Sequence, residues 1–158
     1  MPLTRLVYYS TNKLPAAGNI SVHLKQILGS AIKNNRHVGV TGGLVFTRNY
    51  FMQVLEGERA ALTKLFVTIS TDPRHEHVEL VEWKTAGARF FGAWSMGYAA
   101  TPQLARDLWS TFNIRGSFDP KKLTGDQLSQ LVLELVSKEE GVGFASTQKL
   151  SQPEYHEI

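Results

Sequence analysis

The sequence predicts an α+β domain built on a five-stranded mixed sheet that carries two helices on one face. Three observations predict this class: short segments of alternating polarity, two longer segments with apolar residues at helical spacing, and a tight turn between two strand-like segments. The elements follow the order βαββαββ. Right-handed crossovers in its two β-α-β halves most simply give a ferredoxin-like sheet with an extra strand at the end.

Each element is predicted from a local pattern. Strands are predicted at residues 4–10, 38–47, 50–56, 76–86 and 92–99. Helices are predicted at residues 20–34 and 58–71. The first strand alternates so that Leu6 and Tyr8 share a face, and the last so that Trp94, Met96 and Tyr98 share one. Both helices carry the apolar stripe of an amphipathic helix.

Turn and capping residues set the boundaries between these elements. Asn in the Arg48-Asn49 turn tolerates the positive φ of a tight hairpin, so the flanking strands are predicted to pair antiparallel. The second helix stops before Asp72-Pro73, because a proline disfavours helix in the residue before it. Thr101-Pro102 starts a predicted helix to about residue 112, and an apolar stripe predicts another from Thr124. These two helices are expected to cover the bare face of the sheet.

Chain length limits the domain organisation. The 158 residues fit one domain, residues 1–99, followed by a helical extension at residues 100–140. Residues 141–158 are expected to form a flexible tail, because Gly, Ser, Gln and Pro replace the apolar pattern there. We therefore expect no second catalytic domain within these 158 residues.

Charge and cysteine content argue against several classes of function. The 17 Lys and Arg and the 14 Asp and Glu residues are spread along the chain, which argues against direct nucleic-acid binding. Without cysteine there is no disulfide framework, thiolate metal site or thiol nucleophile. Neither a secretory leader nor an apolar run of membrane-spanning length is evident. We therefore expect a cytoplasmic protein without a membrane segment.

Several polar side chains fall where core residues are expected. Gln53 shares a strand face with Phe51, Tyr8 points inward on the first strand, and Asn34 and Asn35 end the apolar side of the first helix. A buried amide without a hydrogen-bond partner costs about 1–3 kcal/mol, so these groups need partners. Taken singly, each has another explanation. Asn34 and Asn35 are also explained as helix C-terminal residues, Gln53 as a core polar group with its hydrogen bonds satisfied, and Tyr8 as a residue that fills the core. Together they predict the lining of a pocket.

The ligand predicted for this pocket is a flat heteroaromatic ring with donors and acceptors on its edge. Ile27 and Ile69, from the two helices, are placed to sandwich such a ring. An isoalloxazine or a purine satisfies that description.

Residues for hydrolytic or metal chemistry are missing from the pattern. Glu56 and Glu58 flank a predicted turn and form no acid–base pair, and no catalytic residue is assigned. His75 and His77 are interpreted as surface-loop residues, because no second spacing such as HExxH accompanies them. No metal site is expected.

Short sequence blocks occur in a fixed order between residues 3 and 99. They are Arg5-Leu6-Val7-Tyr8, Asn34-Asn35, Gly39-Val40-Thr41-Gly42, residues 51–57, Asp72-Pro73-Arg74-His75 and Trp94-Ser95-Met96. In order and spacing these blocks resemble the BLUF photoreceptors, which sense blue light using a flavin.

The resemblance implies a flavin held noncovalently between the two helices, usually FAD, with FMN or riboflavin as alternatives. It implies that Asn35 binds the carbonyl and N3 edge of the ring and that Gln53 bridges Tyr8 to N5 and O4. The full set of implied or inferred cofactor-binding residues is Tyr8, Ile27, Lys33, Asn34, Asn35, Phe51, Gln53, Ile69, Asp72 and Arg74. Within this set, Lys33 and Arg74 are the candidate phosphate contacts.

For the photochemistry, the resemblance implies that light draws an electron and a proton from Tyr8, after which Gln53 rotates or tautomerises. Trp94 and Met96 are similar to a pair that exchanges positions near the glutamine, and which of them faces the flavin stays open. The resemblance also implies a homo-oligomer that signals to a separate partner protein, with the extension after Ala99 as the candidate output surface. The alternatives are a flavin-free ferredoxin-like binding module and a small flavin redox enzyme.

Overall fold

The computed structural model describes residues 2–14, 20–47, 49–99 and 119–139. Its strands are β1 (Leu3–Asn12), β2 (Thr41–Phe46), β3 (Tyr50–Glu58), β4 (His75–Thr85) and β5 (Gly97–Ala99). Its helices are α1 (Ile20–His37), α2 (Arg59–Ser70) and α3 (Gly125–Glu139), the last preceded by a short 3-10 helix, Pro120–Lys122. None of the described helices combines the length and the apolar character needed to cross a bilayer.

All five strands form one sheet in the order β4-β1-β3-β2-β5. Neighbouring strands are antiparallel except β2 and β5, which run parallel. The central strands β1 and β3 pair in a register that sets Leu6 opposite Leu55 and Tyr8 opposite Gln53. The predicted ferredoxin-like α+β fold with a five-stranded mixed sheet is confirmed.

Apolar side chains form a layer on each face of the sheet, because successive strand residues point to opposite sides. Along β1, Leu6 and Tyr8 lie in the layer shared with α1 and α2, whereas Val7 and Tyr9 lie in the layer shared with α3. A fully buried aliphatic or aromatic side chain contributes about 1.5–3 kcal/mol of transfer free energy. Because both layers contain buried side chains of β1 and β3, burial on both faces of the sheet stabilises these two central strands.

Helix α3 covers the sheet face opposite α1 and α2, as predicted for one of the two C-terminal helices. It begins with a capping box: the Thr124 hydroxyl accepts from the Gln127 amide at 3.1 Å, and the Gln127 carboxamide oxygen accepts from the Thr124 amide at 3.0 Å. The buried residues of α3 are Gly125, Leu128, Ser129, Leu131, Val132, Leu135 and Val136. The helix predicted to end near residue 112 and the tail predicted at residues 141–158 lie outside the described residues.

Two glycines let α3 approach the sheet closely. A Cβ at Gly43 would lie 2.6 Å from the Phe91 ring and 3.1 Å from Val132. A Cβ at Gly97 would lie 2.5 Å from Val136. The 2.6 Å and 2.5 Å separations are well below van der Waals contact, so a larger residue would have to displace Phe91 at Gly43 and Val136 of α3 at Gly97.

The last strand is shorter than predicted. Residues 92–96 form turns and bends, in which the Trp94 amide donates to the Phe91 carbonyl at 3.0 Å. Strand alternation does not pass through such a turn, so Trp94 lies in the α3 layer while Met96 and Tyr98 lie in the layer of α1 and α2. The prediction that these three side chains share a face is wrong for Trp94.

Candidate functional site

A cavity of about 180 Å³ opens between the two helices α1 and α2 and the sheet face beneath them. Its lining comes from α1, α2, the four strands β1 to β4 and the segment between α2 and β4. The lining residues are Tyr8, Ile27, Ser30, Ala31, Asn34, Asn35, Leu44, Phe51, Gln53, Leu65, Thr68, Ile69, Asp72, Arg74 and His75. Nine of the ten residues inferred from the sequence as cofactor contacts are in this lining.

A chain of three side chains crosses the floor of the cavity. The Tyr8 hydroxyl donates to Oε1 of Gln53, its partner across β1 and β3. Nε2 of Gln53 in turn donates to the Met96 sulfur at 3.4 Å. All three side chains are buried. Both polar atoms of the carboxamide are therefore engaged, one by a phenol and the other by a thioether.

The phenol at the start of this chain is neutral. Burial raises the pKa of the Tyr8 hydroxyl well above its ordinary value, and the nearby Asp72 carboxylate raises it further. The hydroxyl consequently keeps its proton at every physiological pH and acts as the donor toward Gln53.

The two carboxamides of α1 lie in the lining, as predicted, but in different surroundings. Asn34 is exposed at the cavity, whereas Asn35 is 2% exposed. Nδ2 of Asn35 donates to the Ser95 carbonyl at 3.1 Å. Asn35 thus joins α1 to the segment that carries both Trp94 and Met96.

His75 belongs to the cavity, contrary to its interpretation as a surface-loop residue. It opens β4, and its Nε2 lies 2.6 Å from the Ile69 carbonyl while Nδ1 lies 2.7 Å from the Ser10 hydroxyl. Because a carbonyl only accepts, Nε2 carries a proton. The ring also meets Tyr8 edge-on at a centroid distance of 6.3 Å. The predicted strand began one residue too late to include this side chain, whereas His77 is exposed as expected.

Charged residues at the cavity are already paired. The Arg74 guanidinium donates through Nε to Asp72 Oδ1 at 2.9 Å and through Nη2 to Oδ2 at 2.5 Å. The side-chain hydrogen bond from Arg74 lowers the pKa of the Asp72 carboxyl, and that bond raises the pKa of the guanidinium. Thr68 adds no charge beside them. Lys33 is exposed and is not one of the described residues of the lining.

Trp94 and Met96 lie on opposite sides of the sheet. Met96 contacts Gln53, whereas Trp94 packs 6.4 Å from the Phe91 ring in the α3 layer. The indole Nε1 is buried and has no hydrogen-bond partner among the described residues. Met96 is therefore the member of this pair on the cavity side.

The chemistry of the lining fits a flat ring with polar groups on its edge. Ile27 and Ile69 bring apolar surface from the two helices, and the carboxamides of Asn35 and Gln53 supply groups that both donate and accept. Asp72 is the one carboxylate among the described lining residues, and no cluster of three metal-ligating side chains occurs in the described part of the chain. The site is thus suited to binding and to rearrangement of hydrogen bonds.

Comparison with known families identifies this arrangement. The family model described as "Sensors of blue-light using FAD" matches residues 3–97. The chain belongs to the BLUF family. The resemblance inferred from the short sequence blocks is thereby confirmed, and the cavity between α1 and α2 lies in a domain of a family that senses blue light with a flavin.

The chain is similar to individual BLUF proteins in both sequence and structure. It is 35% identical over 94 residues, or 60% of its length, to the photoactivated adenylate cyclase subunit alpha of Euglena gracilis, but spans only 9% of that protein. Its structure is similar to that of BlsA in its photo-activated state, with a TM-score of 0.75, 27% identity and coverage of 85% of this chain and 94% of BlsA.

Two further BLUF structures extend the comparison. The dark-state structure of BlrB has a TM-score of 0.66 and 29% identity, and covers 84% of this chain and 96% of BlrB. Klebsiella pneumoniae BlrP1 with FMN and cyclic diGMP has a TM-score of 0.60 and 26% identity, and covers 87% of this chain and 35% of BlrP1. These structural similarities cover 84–87% of this chain, whereas the family model matches residues 3–97.

Proposed function

We propose that this chain is a blue-light photoreceptor that binds a flavin noncovalently and signals by contact with a separate partner protein. The observation that carries the proposal is the buried chain Tyr8–Gln53–Met96, which links the cavity floor to the segment before β5. It supplies a neutral phenol, a carboxamide that can reorient and a soft acceptor on the far side. No step in this scheme requires catalytic turnover.

The residues that would hold the flavin come from every wall of the cavity. Ile27 and Ile69 would pack on the ring, and Asn35 would supply donors and acceptors at its edge. Asp72 and Arg74, as a pair, are the candidate contacts for the ribityl and phosphate groups. FAD is the proposed flavin because the family is described by it, with FMN, the flavin in the BlrP1 structure, as an alternative.

Tyr8 is the proposed electron and proton donor. Bound flavin supplies the absorption of blue light and an excited state that accepts an electron. Loss of an electron makes a phenol strongly acidic, so the Tyr8 proton leaves Oη along its existing hydrogen bond to Gln53 Oε1. The raised pKa of Tyr8 keeps this proton in place until that moment.

Gln53 is the proposed switch. If its carboxamide rotates, the oxygen replaces the nitrogen opposite the Met96 sulfur, and the bond that joins them at 3.4 Å is lost because neither atom can donate. If it tautomerises to the imidic acid, the net change is that one hydrogen passes from Nε2 to Oε1, so the oxygen becomes a donor toward Tyr8 and the nitrogen keeps a single hydrogen. Either event changes how Met96 is held and biases the equilibrium between two packings of β5.

The proposed output runs from Met96 through β5 to α3. Gly97 follows Met96 directly and packs against Val136 of α3, so a shift at the cavity reaches the opposite sheet face within one residue. The helical extension at residues 100–140 is therefore the proposed surface for the partner, and a homo-oligomer in the cytoplasm is the proposed state. Residues 1–99 form the proposed flavin-binding domain.

Colour tests this function directly. Protein expressed with riboflavin available is expected to be yellow and to show a small red shift after blue light that reverses in the dark. Protein that folds but carries no flavin would overturn the proposal in favour of a flavin-free binding module. Flavin that is bleached only with an added substrate would favour a redox enzyme.

A further inference from the structure

A buried ion pair lies on the sheet face opposite the cavity. Arg5 and Glu56 are paired across β1 and β3, and their side chains are 4% and 0% exposed. Nε and Nη2 of Arg5 each lie 2.9 Å from Oε2 of Glu56. Replacing such a pair by apolar residues often leaves stability unchanged or improves it, so stability alone is a weak reason for its presence.

The Glu56 carboxylate holds the loop between β4 and β5 by its backbone. The amide of Phe90 donates to Oε2 at 2.7 Å, and the amide of Phe91 donates to Oε1 at 2.8 Å. The Thr41 hydroxyl approaches Oε1 at 3.4 Å. Both carboxylate oxygens are therefore used to fix two consecutive amides of one loop.

Two arginines tie the same loop from either side. Nη2 of Arg5 donates to the Ala88 carbonyl at 2.6 Å, and the guanidinium lies 3.8 Å from the centre of the Phe90 ring. Arg89 extends outward from the loop and donates to the carbonyls of Glu56 at 3.2 Å and Gly39 at 2.9 Å. We refer to Arg5, Glu56 and Arg89 as the loop clamp.

The clamped loop leads directly to the residues at the cavity. The Trp94 amide donates to the Phe91 carbonyl at 3.0 Å, and the Trp94 carbonyl accepts from the Gly42 amide at 3.2 Å. Asn35 then holds the Ser95 carbonyl, and Gln53 holds the Met96 sulfur. Hydrogen bonds therefore fix the segment from Phe91 to Met96 along its length. The loop clamp binds its start, and Gln53 binds its end.

We propose that Glu56, supported by Arg5 and Arg89, is a positioning residue that fixes the loop between β4 and β5 and so sets how Met96 lies against Gln53. The inference rests on the proposed function for its consequence: the loop clamp determines how fast the light-induced state returns to the dark state. Its structural part, the placement of Met96, is independent of light.

The variants Glu56→Gln and Arg89→Gln test the loop clamp, with Glu58→Gln and Arg59→Gln as controls. Glutamine at position 56 keeps the shape but offers one oxygen where the carboxylate offered two. Arg89 is partly exposed, so its loss leaves no buried charge unpaired. Glu58 and Arg59 are exposed at the end of β3 and the start of α2, and provide the same changes away from the loop.

Two readouts separate placement from photochemistry. The chain has three methionines, so its carbon-13 methyl spectrum is simple, and Met96→Leu assigns the Met96 signal. In the dark, this signal is expected to move or broaden in both clamp variants and to stay in place in both controls. Recovery after blue light is expected to change by about threefold or more in the clamp variants, with flavin content unchanged.

Each outcome decides between the two claims. A Met96 signal and a recovery rate equal to wild type in both folded clamp variants would overturn the positioning role. If Glu56→Gln does not fold, Arg89→Gln decides on the same criterion. A displaced Met96 signal in a protein that never shows a light-induced shift would support the positioning role and overturn the proposed function.

Discussion

Tyr8 and Gln53 face each other directly across β1 and β3, and the phenol of one donates to the carboxamide oxygen of the other. The amide nitrogen of the same glutamine donates to Met96 at 3.4 Å. Gln53 therefore couples a central strand to the residue before β5. A change at either end has to be accommodated by the carboxamide, because both of its polar atoms are engaged.

Removal of the phenol hydroxyl tests the first bond of this chain. Tyr8→Phe is expected to keep the flavin and to lose the light-induced red shift, because the ring stays and the proton source is gone. Its free energy of unfolding is expected to fall by about 1–3 kcal/mol, since Gln53 Oε1 loses its partner. Tyr9→Phe, one residue away in the α3 layer, should retain the shift. A red shift in Tyr8→Phe would contradict the proposed donor.

Removal of the carboxamide tests the switch itself. Gln53→Ala is expected to bind flavin and to show no red shift, because no group remains to exchange hydrogen bonds between Tyr8 and Met96. Absorption spectra before and after blue light measure this effect. If both Gln53→Ala and Tyr8→Phe kept a normal shift, the switching mechanism would be wrong even with flavin bound.

The placement of Met96 and Trp94 on opposite sheet faces separates their roles. Met96→Leu keeps the packing volume but removes the acceptor for Gln53, so the rate of dark recovery is expected to change by about threefold or more. Trp94→Phe should affect recovery much less and should mainly lower the melting temperature. Recovery kinetics of the two variants, measured side by side, check this order. The reverse order would place Trp94 at the flavin.

Acid is expected to lower the free energy of unfolding because Asp72 becomes protonated. Its pKa is lowered in the folded state by the bond from Arg74, so the unfolded chain binds more protons in acid and stability falls as the pH drops. Urea unfolding between about pH 5 and pH 3 should show this loss in the wild type and a smaller loss in Asp72→Asn. Parallel curves for the two proteins would show that Asp72 contributes nothing to the loss of stability in acid.

The close approach of α3 can be tested at Gly97. Gly97→Ala is expected to cost about 1–3 kcal/mol of unfolding free energy, because its Cβ would overlap Val136. Gly87→Ala is the matched control, since no described atom lies within 4 Å of a Cβ placed there. Thermal melts of both variants measure the difference. Equal melting temperatures would mean that the space between β5 and α3 accommodates a methyl group at position 97.

The sequence predicted the features that depend on local period. Alternation along β1 and β3 places Tyr8 and Gln53 on the inner face, and helical spacing places Asn35 at the end of the apolar stripe. These patterns hold because a strand or helix that packs on one side repeats its environment every second or every third to fourth residue. The grouping of these side chains at one cavity followed from the order of the elements.

Features that depend on contacts distant in sequence were missed. The turn before β5 is held by bonds to Gly42 and Asn35, which no local pattern reveals, and it reverses the side of Trp94. His75 is interpreted from the sequence as a surface-loop residue because no metal-binding spacing accompanies it, although it opens β4 and lines the cavity. Glu56 was interpreted as a residue flanking a turn, although it is fully buried in β3 with Arg5 as its partner.

The alternation along β1 and β3 also assigns the cavity and the output helix to different residues of the same two strands. Tyr8 and Gln53 line the cavity, while their neighbours Val7, Met52 and Val54 meet only the layer of α3. Exchange of the helix on one face would therefore leave Tyr8 and Gln53 in place on the other, and would act on them only through the loop clamp and the turn before β5. A single sheet can thus carry different output elements on one face while it keeps the same cavity on the other.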